Sequence, residues 1–240
     1  MNGTTIAWRG VAHPPLSRKP WVTYIVKDFT STRPVKHIAE STVRRLSLYL
    51  RFLDDFEKAG RTSVSSGELA KCGGTTSAQV RKDLSFFGSF GKRGLGYAIV
   101  ELTAAIRRIL GLDRTWQVVI IGAGKIGAAL AQHRGFAGRG FTVVGIFDTD
   151  PELVGRTFDG ITVTDAQALE QDVRQLGAEI AILAVPPHAA QGMANRLAKA
   201  GVHAILDFST ESISVPASVT VRRVNIASEL EFLSFALTNR

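Results

Sequence analysis

From Glu40 onwards the apolar positions fall into a helical period: Val43, Leu46, Tyr49, Leu50, Leu53 and Phe56 share one face. The spacing predicts a first helix, with Ser41 or Thr42 as N-cap and Gly60 as the stop. SVSSGELAKCGGTTSAQVRKDLSFFG then predicts a short strand, a short helix from Ser66, a Gly-Gly turn and a second helix from Thr76. That is a helix-turn-helix layout. Val80, Leu84 and Phe87 form the apolar stripe of its second helix. A step of about 100° per residue puts Ala78, Gln79, Lys82, Ser85 and Phe86 on the opposite side, with Arg81 on the flank. SFGKRGLGY is too rich in glycine for a helix and predicts a hairpin with Gly91-Lys92-Arg93-Gly94 at its tip. VELTAAIRRILGL predicts a closing helix up to Leu112.

After Leu112 the pattern changes to apolar strands alternating with helices. WQVVII, FTVVGIF, ITVTD, EIAILAVP and HAILDFS predict strands, with a helix after the glycine loop and helices around 166–175 and 188–200 between them. This alternation predicts an α/β fold with a parallel, doubly wound sheet. NIASELEFLSFALTNR predicts a last helix in which Ser228 and Glu231 form a capping box. Leu230, Phe232, Leu233, Phe235 and Leu237 make that helix apolar on more than one face. A terminal helix so short needs burial beyond its own sheet, and a second copy of the chain would supply it. Residues 1–37 carry four of the eight prolines and no sustained period, so a mobile basic tail is expected there, with YIV too short to establish a strand. The expected segments are the tail (1–37), a helix-turn-helix module with a basic hairpin (38–114), the sheet domain (115–225) and the terminal helix (226–240).

Charge sharpens this division. Residues 1–39 hold six Lys/Arg against one acid, 40–115 thirteen against eight, and 116–240 ten against twelve. The net +8 therefore lies in the first half, next to a near-neutral second half. Such a split suits a polyanion partner, although a basic surface kept for solubility gives the same count. A recognition helix in a DNA major groove accounts for the face of small residues and cations. Thr76, Ser77, Gln79, Arg81, Lys82 and Ser85 are the candidate DNA contacts there. A basic hairpin after such a helix is a wing, and Lys92 and Arg93 are its candidate contacts. The one cysteine, Cys72, excludes an internal disulfide and a thiolate metal cluster within one chain, so a reducing cytoplasm fits best and no metal is expected. No apolar run reaches membrane-span length, so no membrane partner is expected.

The second half opens on IIGAGKIG, in which Gly122, Gly124 and Gly127 match G-x-G-x-x-G. The first glycine permits the tight turn, the second lets backbone approach a pyrophosphate, and the third lets helix and strand pack closely. A Rossmann-like domain is thus expected, with Gly122, Ala123, Gly124, Lys125, Ile126 and Gly127 around the phosphates. Asp148, at the end of the next strand, is placed to accept from the adenosine ribose hydroxyls and would repel a 2′-phosphate, favouring NADH or NAD+. Val185 and Pro186 close another strand on the edge where such sheets hold ligands. His188 lacks a partner acid or nucleophile at a recognisable spacing, so no catalytic residue is assigned. Three functions remain open: an NAD-dependent dehydrogenase, a protein binding another nucleotide ligand such as coenzyme A, and a transcription factor sensing dinucleotide without chemistry. Only the third uses both halves.

AESTVRRLSLYLRFL, TTSAQVRKDLSFFGSFGKRGLGY, GAGKIGAALAQHRGF and FDTDPELVG resemble the Rex family of redox-sensing transcriptional repressors, over residues 37–240. The resemblance implies a winged helix followed by a Rossmann-like sheet, in a homodimer on a palindromic double-stranded operator. It implies release from DNA by NADH, weak competition by NAD+, and a domain-swapped C-terminal helix exchanged between protomers. By position, Arg51 and Tyr97 would form the interdomain switch pair, with Tyr97 also near the cofactor and Asn225 bridging to them. The chain has Asn225-Ile226 where family members often carry an acid and an aromatic, and Asp207 within ILDFS where ILNF is usual.

Overall fold

The computed structural model describes residues 24–25, 37–91 and 95–239. Lys92, Arg93 and nearly all of the expected tail therefore lie outside the described residues. The chain forms two compact units, Met1–Leu110 and Gly111–Arg240.

In the first unit, β1 (Tyr24–Ile25) pairs antiparallel with β2 (His37–Ile38). Tyr24 and Ile25 thus do form a strand, against the expectation for YIV, because the start of the folded chain supplies a partner. After β2 come α1 (Glu40–Lys58), β3 (Ser63–Val64), α2 (Ser66–Cys72), α3 (Ser77–Ser85) and β4 (Tyr97–Ala98). The last is α4 (Ile99–Ile109). The N-cap of α1 is Ala39, with no side-chain bond, and neither Ser41 nor Thr42. Thr42 is buried in the first turn with its hydroxyl turned towards Asp83, which takes it out of the capping position. Elsewhere side chains set the helix starts. Ser65 and Glu68 make a reciprocal capping box on α2, and the Thr76 hydroxyl accepts from the Gln79 amide at the start of α3.

Leu46, Tyr49, Leu50 and Leu53 of α1 are buried, as are Leu69, Val80, Leu84, Ile99, Leu102 and Ile106. Each such side chain contributes roughly 1.5–3 kcal/mol of transfer free energy. α3 ends at Ser85, so Phe87 falls beyond it, and Phe86 and Phe87 are both half-buried rather than on opposite faces. The expected hairpin is also built differently. β4 pairs with β3, in the register Val64↔Tyr97, while Gly88–Phe90 carries no strand. The chain still folds back on itself: a Cβ on Gly91 would fall 2.4 Å from the Gly96 carbonyl oxygen.

The second unit holds β5 (Trp116–Ile121), α5 (Lys125–Ala131), β6 (Phe141–Asp148), β7 (Thr157–Phe158), β8 (Ile161–Asp165) and α6 (Leu169–Gln175). β9 (Ile180–Leu183), α7 (Pro187–Ala200), β10 (Ala204–Asp207), β11 (Thr220–Arg223) and α8 (Ile226–Thr238) complete it. The sheet order is β11-β10-β9-β5-β6-β8-β7. All pairs are parallel except β7 with β8, so the sheet is mixed rather than wholly parallel. Neither β7 nor β11 follows from the pattern. β7 is two residues long, and β11 reads Thr-Val-Arg-Arg, a polar sequence tolerated on an edge. One face of the sheet buries Val119, Ile121, Leu183 and Ile205 with residues of α6 and α7; the other buries Val118, Ile120, Ile146 and Ile182 with Ala131 of α5. The N-cap of α8 is Asn225, whose Oδ1 accepts from the Ser228 amide at 3.3 Å, in place of the expected capping box. β11 dictates this start, since the Val224 amide is still bonded to the Asp207 carbonyl and Asn225 is the first residue free to cap.

Candidate functional site

The chain runs β5, β6, β8 to one side of the sheet and then returns to β9 on the other side of β5. The carboxyl ends of β5 and β9 therefore flank the point where strand order reverses, where open α/β sheets hold ligands. A cleft of about 340 Å³ lies there, lined among others by Gly122, Gly124, Asp148, Val185 and Pro186. Five of the expected cofactor residues thus share one wall-to-wall space. Thr149, Asp150, Leu153, His188 and Met193 also line it and were not assigned from the sequence. Asp150, two residues after Asp148, was the one with a local signal.

The glycine loop is shaped by contacts that only glycine permits. Gly122 has φ 97°, and a Cβ there would fall 2.4 Å from the Ala184 carbonyl oxygen at the end of β9. A Cβ on Gly127 would fall 1.7 Å from the Gly122 carbonyl oxygen, so α5 sits directly on the loop. A Cβ on Gly124 would meet nothing within 4 Å, because the space above it is the cleft. Lys125 and Ile126 are exposed at the start of α5.

Asp148 does more than face the cleft. Its Oδ2 accepts from the Ala123 amide at 2.6 Å, and its Oδ1 accepts from the amides of Thr149 and Asp150 at 2.7 and 2.9 Å. The carboxylate ties the glycine loop to the end of β6. Two carboxylate oxygens offer about four acceptor directions, so capacity remains for a ribose hydroxyl.

In the first unit, Thr76, Lys82, Arg81 and Ser85 are exposed along α3, while Ser77 and Gln79 are half-buried. The Arg81 guanidinium donates to the Ser66 hydroxyl at 3.0 Å, which ties α3 to the start of α2. Beneath this surface lies a buried carboxylate that periodicity did not single out. Asp83 is wholly buried and accepts from Arg45 Nε and Nη2 (2.6 and 2.7 Å), Gln79 Nε2 (2.8 Å) and the Tyr49 hydroxyl (3.0 Å). Burial pushes its carboxyl up, but the hydrogen bonds from Arg45, Gln79 and Tyr49 outweigh it and hold Asp83 below the usual carboxylate range. Asp83 is therefore an anion at neutral pH, and it fastens α3 to α1.

The proposed switch residues divide between the units. Arg51 is exposed on α1, its guanidinium 5.7 Å from the centre of the Phe52 ring. Tyr97 is buried in its pairing with Val64, which pushes its hydroxyl up in pKa. Asn225 belongs to the second unit, where it caps α8. Among the described residues no group of three His, Cys, Asp or Glu could hold a metal ion, and no helix is long and apolar enough to cross a membrane.

A winged helix with an exposed basic face, joined to a doubly wound sheet with a glycine-lined cleft, defines the class: a DNA-binding regulator with a nucleotide-type ligand site. Residues 37–85 match a family described as putative DNA-binding protein N-terminus, and residues 113–210 one described as CoA binding domain. The redox-sensing transcriptional repressor Rex of Syntrophomonas wolfei is 45% identical over 85% of this chain and 98% of its own. A crystal structure of RSP with beta-NAD+ and operator DNA is 37% identical, with TM-score 0.80 over 84% of this chain and 93% of that one. RSP with beta-NADH is 35% identical, with TM-score 0.78 over 84% and 95%. The chain belongs to the Rex family of redox-sensing transcriptional repressors.

Proposed function

We propose that two copies of this chain bind a palindromic operator through α3 with Lys92 and Arg93, and that NADH in the glycine-lined cleft releases them. The observation that carries this reading is the division of labour between the two units. The cationic face of α3 belongs to one, and the cleft with Gly122, Gly124 and Asp148 belongs to the other. Relatives crystallised with NADH, and with NAD+ and operator DNA, support both ligands. NADH must bind the DNA-incompetent arrangement better than the competent one, since only differential affinity shifts a population.

The dimer is supported by α8, whose Ile226, Leu230, Phe232, Leu233, Phe235 and Leu237 are 56–67% exposed in the single chain. Exchange of this helix between protomers would cover that surface. Arg51, Tyr97 and Asn225 would transmit cofactor state between the units, with Asn225 supplying a neutral hydrogen bond. The cofactor is sensed rather than turned over, and the protein works in the cytoplasm beside its DNA. The match to a CoA binding domain favours coenzyme A as the competing ligand; Asp148 weighs against it.

Arg93→Ala should weaken operator binding and leave NADH affinity intact, whereas Asp148→Ala should weaken NADH binding and blunt its release of DNA. Fluorescence titration of NADH and mobility shift of an operator duplex read the two separately. Equal loss of both functions in either variant would contradict the assignment of roles to the units.

A further inference from the structure

The glycine-lined cleft has two walls of different chemistry. On the β6 side stand Asp148, Thr149 and Asp150, each with oxygen in its side chain. On the β9 side stand Ala184, Val185, Pro186, Ala189 and Met193, all apolar, and His188. Among the described residues lining that wall, His188 alone carries nitrogen or oxygen in its side chain. It is exposed at the second position of α7, directly after Pro187. The start of a helix favours acids and side-chain caps and disfavours positive charge. α7 has neither an acid in its first turn nor a side-chain cap, so helix stability gives no reason for a histidine at this position.

Sheet order decides which part of a dinucleotide meets this wall. A doubly wound sheet holds one mononucleotide on each side of the point where strand order reverses. Here β5, β6 and β8 form one side, and β9, β10 and β11 the other. With the adenosine ribose on Asp148 at the end of β6 and the pyrophosphate on the glycine loop after β5, the nicotinamide half falls to the β9 wall. Val185, Pro186 and Met193 offer its ring an apolar surface. Its ribose hydroxyls and carboxamide lose water there and need a hydrogen-bonding partner. We propose that His188 is that partner, a cofactor contact specific to the nicotinamide half of NADH. A neutral imidazole has one donor and one acceptor, so it serves a hydroxyl or a carboxamide equally well. This rests on the reading of the cleft as the NADH site.

The test uses the full chain and two probes, NADH and ADP, which share the adenosine and both phosphates and differ in the nicotinamide half. Titration calorimetry reads both on one scale. His188→Ala should weaken NADH about tenfold, the loss of one hydrogen bond, and leave ADP affinity unchanged. Unchanged ADP binding also shows that the variant is folded. Asp148→Ala, by contrast, should weaken both probes. If His188→Ala leaves NADH affinity unchanged, the imidazole does not touch the cofactor and the inference is overturned. If it weakens ADP as much as NADH, His188 serves the pyrophosphate or the shape of the cleft, and the inference is equally overturned. Should the unaltered chain bind neither probe, the NADH reading of the cleft fails instead.

Discussion

Replacing Arg45 with methionine isolates the clamp between α1 and α3. Asp83 is wholly buried and takes four hydrogen bonds of 2.6–3.0 Å, of which Arg45 supplies the two shortest and the only positive charge. Removing one partner of a buried ion pair costs about 3–5 kcal/mol, because the remaining charge stays desolvated. The Arg45 side chain is 25% exposed, which lets water reach that end of the pair, so the low end of about 3 kcal/mol is expected. Hydrogen exchange of the α1 and α3 amides reads this module by itself, and about 3 kcal/mol corresponds to roughly a hundredfold loss of protection. The pH dependence carries a definite sign. In the native chain the Asp83 carboxyl lies below its unfolded value, so its stabilisation is present above that value and is lost as pH falls through the depressed one. Without Arg45, the largest interaction opposing burial is gone, so the carboxyl should rise from its depressed position. Arg45→Met should therefore be most deficient at neutral pH, with the deficit shrinking as pH falls and Asp83 takes up a proton, once intrinsic exchange is corrected. Arg44→Met removes the same charge from an exposed pair with Glu40 and should cost almost nothing. Native protection in Arg45→Met at pH 7, or a deficit that does not shrink as the pH is lowered, would refute the reasoning.

Gly127→Ala would place a methyl group 1.7 Å from the Gly122 carbonyl oxygen, so α5 must move off the loop. NADH affinity, measured by fluorescence, should fall at least tenfold, and an unchanged value would mean that the loop does not hold the cofactor. Leu233→Asp with Phe235→Asp puts two carboxylates on the apolar surface of α8. Sedimentation should show dimers for the unaltered chain and monomers for the variant, and a variant that sediments as the unaltered chain does would assign α8 no part in assembly.

Much of both units was legible because periodicity is strong where burial is one-sided. The face Leu46-Tyr49-Leu50-Leu53 announces α1, and the run of Trp116–Ile121 into the glycine loop announces β5 and the cleft beneath it. What failed to show is what depends on partners distant in sequence. Asp83 stands three residues after Val80, on the apolar side of α3, and no local signal marks it; its partners are Arg45, 38 residues earlier, and Tyr49. Local capping rules favoured Ser41 or Thr42 for α1 and Ser228 for α8, yet the helix starts are dictated by β2 and by the bond from Val224 to Asp207. Strand β11 is an edge whose arginines hide its apolar signal, and one of them, Arg223, lies 3.7 Å from the buried Asp207 carboxylate. The likeness to Rex suggested a switch role for Asn225, whereas its capping of α8 could be read only from the fold.

The central claim is that a ligand in one unit governs the grip of the other on DNA. Its most direct measurement is a titration of the preformed complex with a palindromic operator, at one salt concentration, with NADH, NAD+ and coenzyme A added in separate series. The account predicts release by NADH at the lowest concentration, weaker competition by NAD+ and no effect of coenzyme A. Operator affinity that is the same in saturating NADH as in its absence would contradict it.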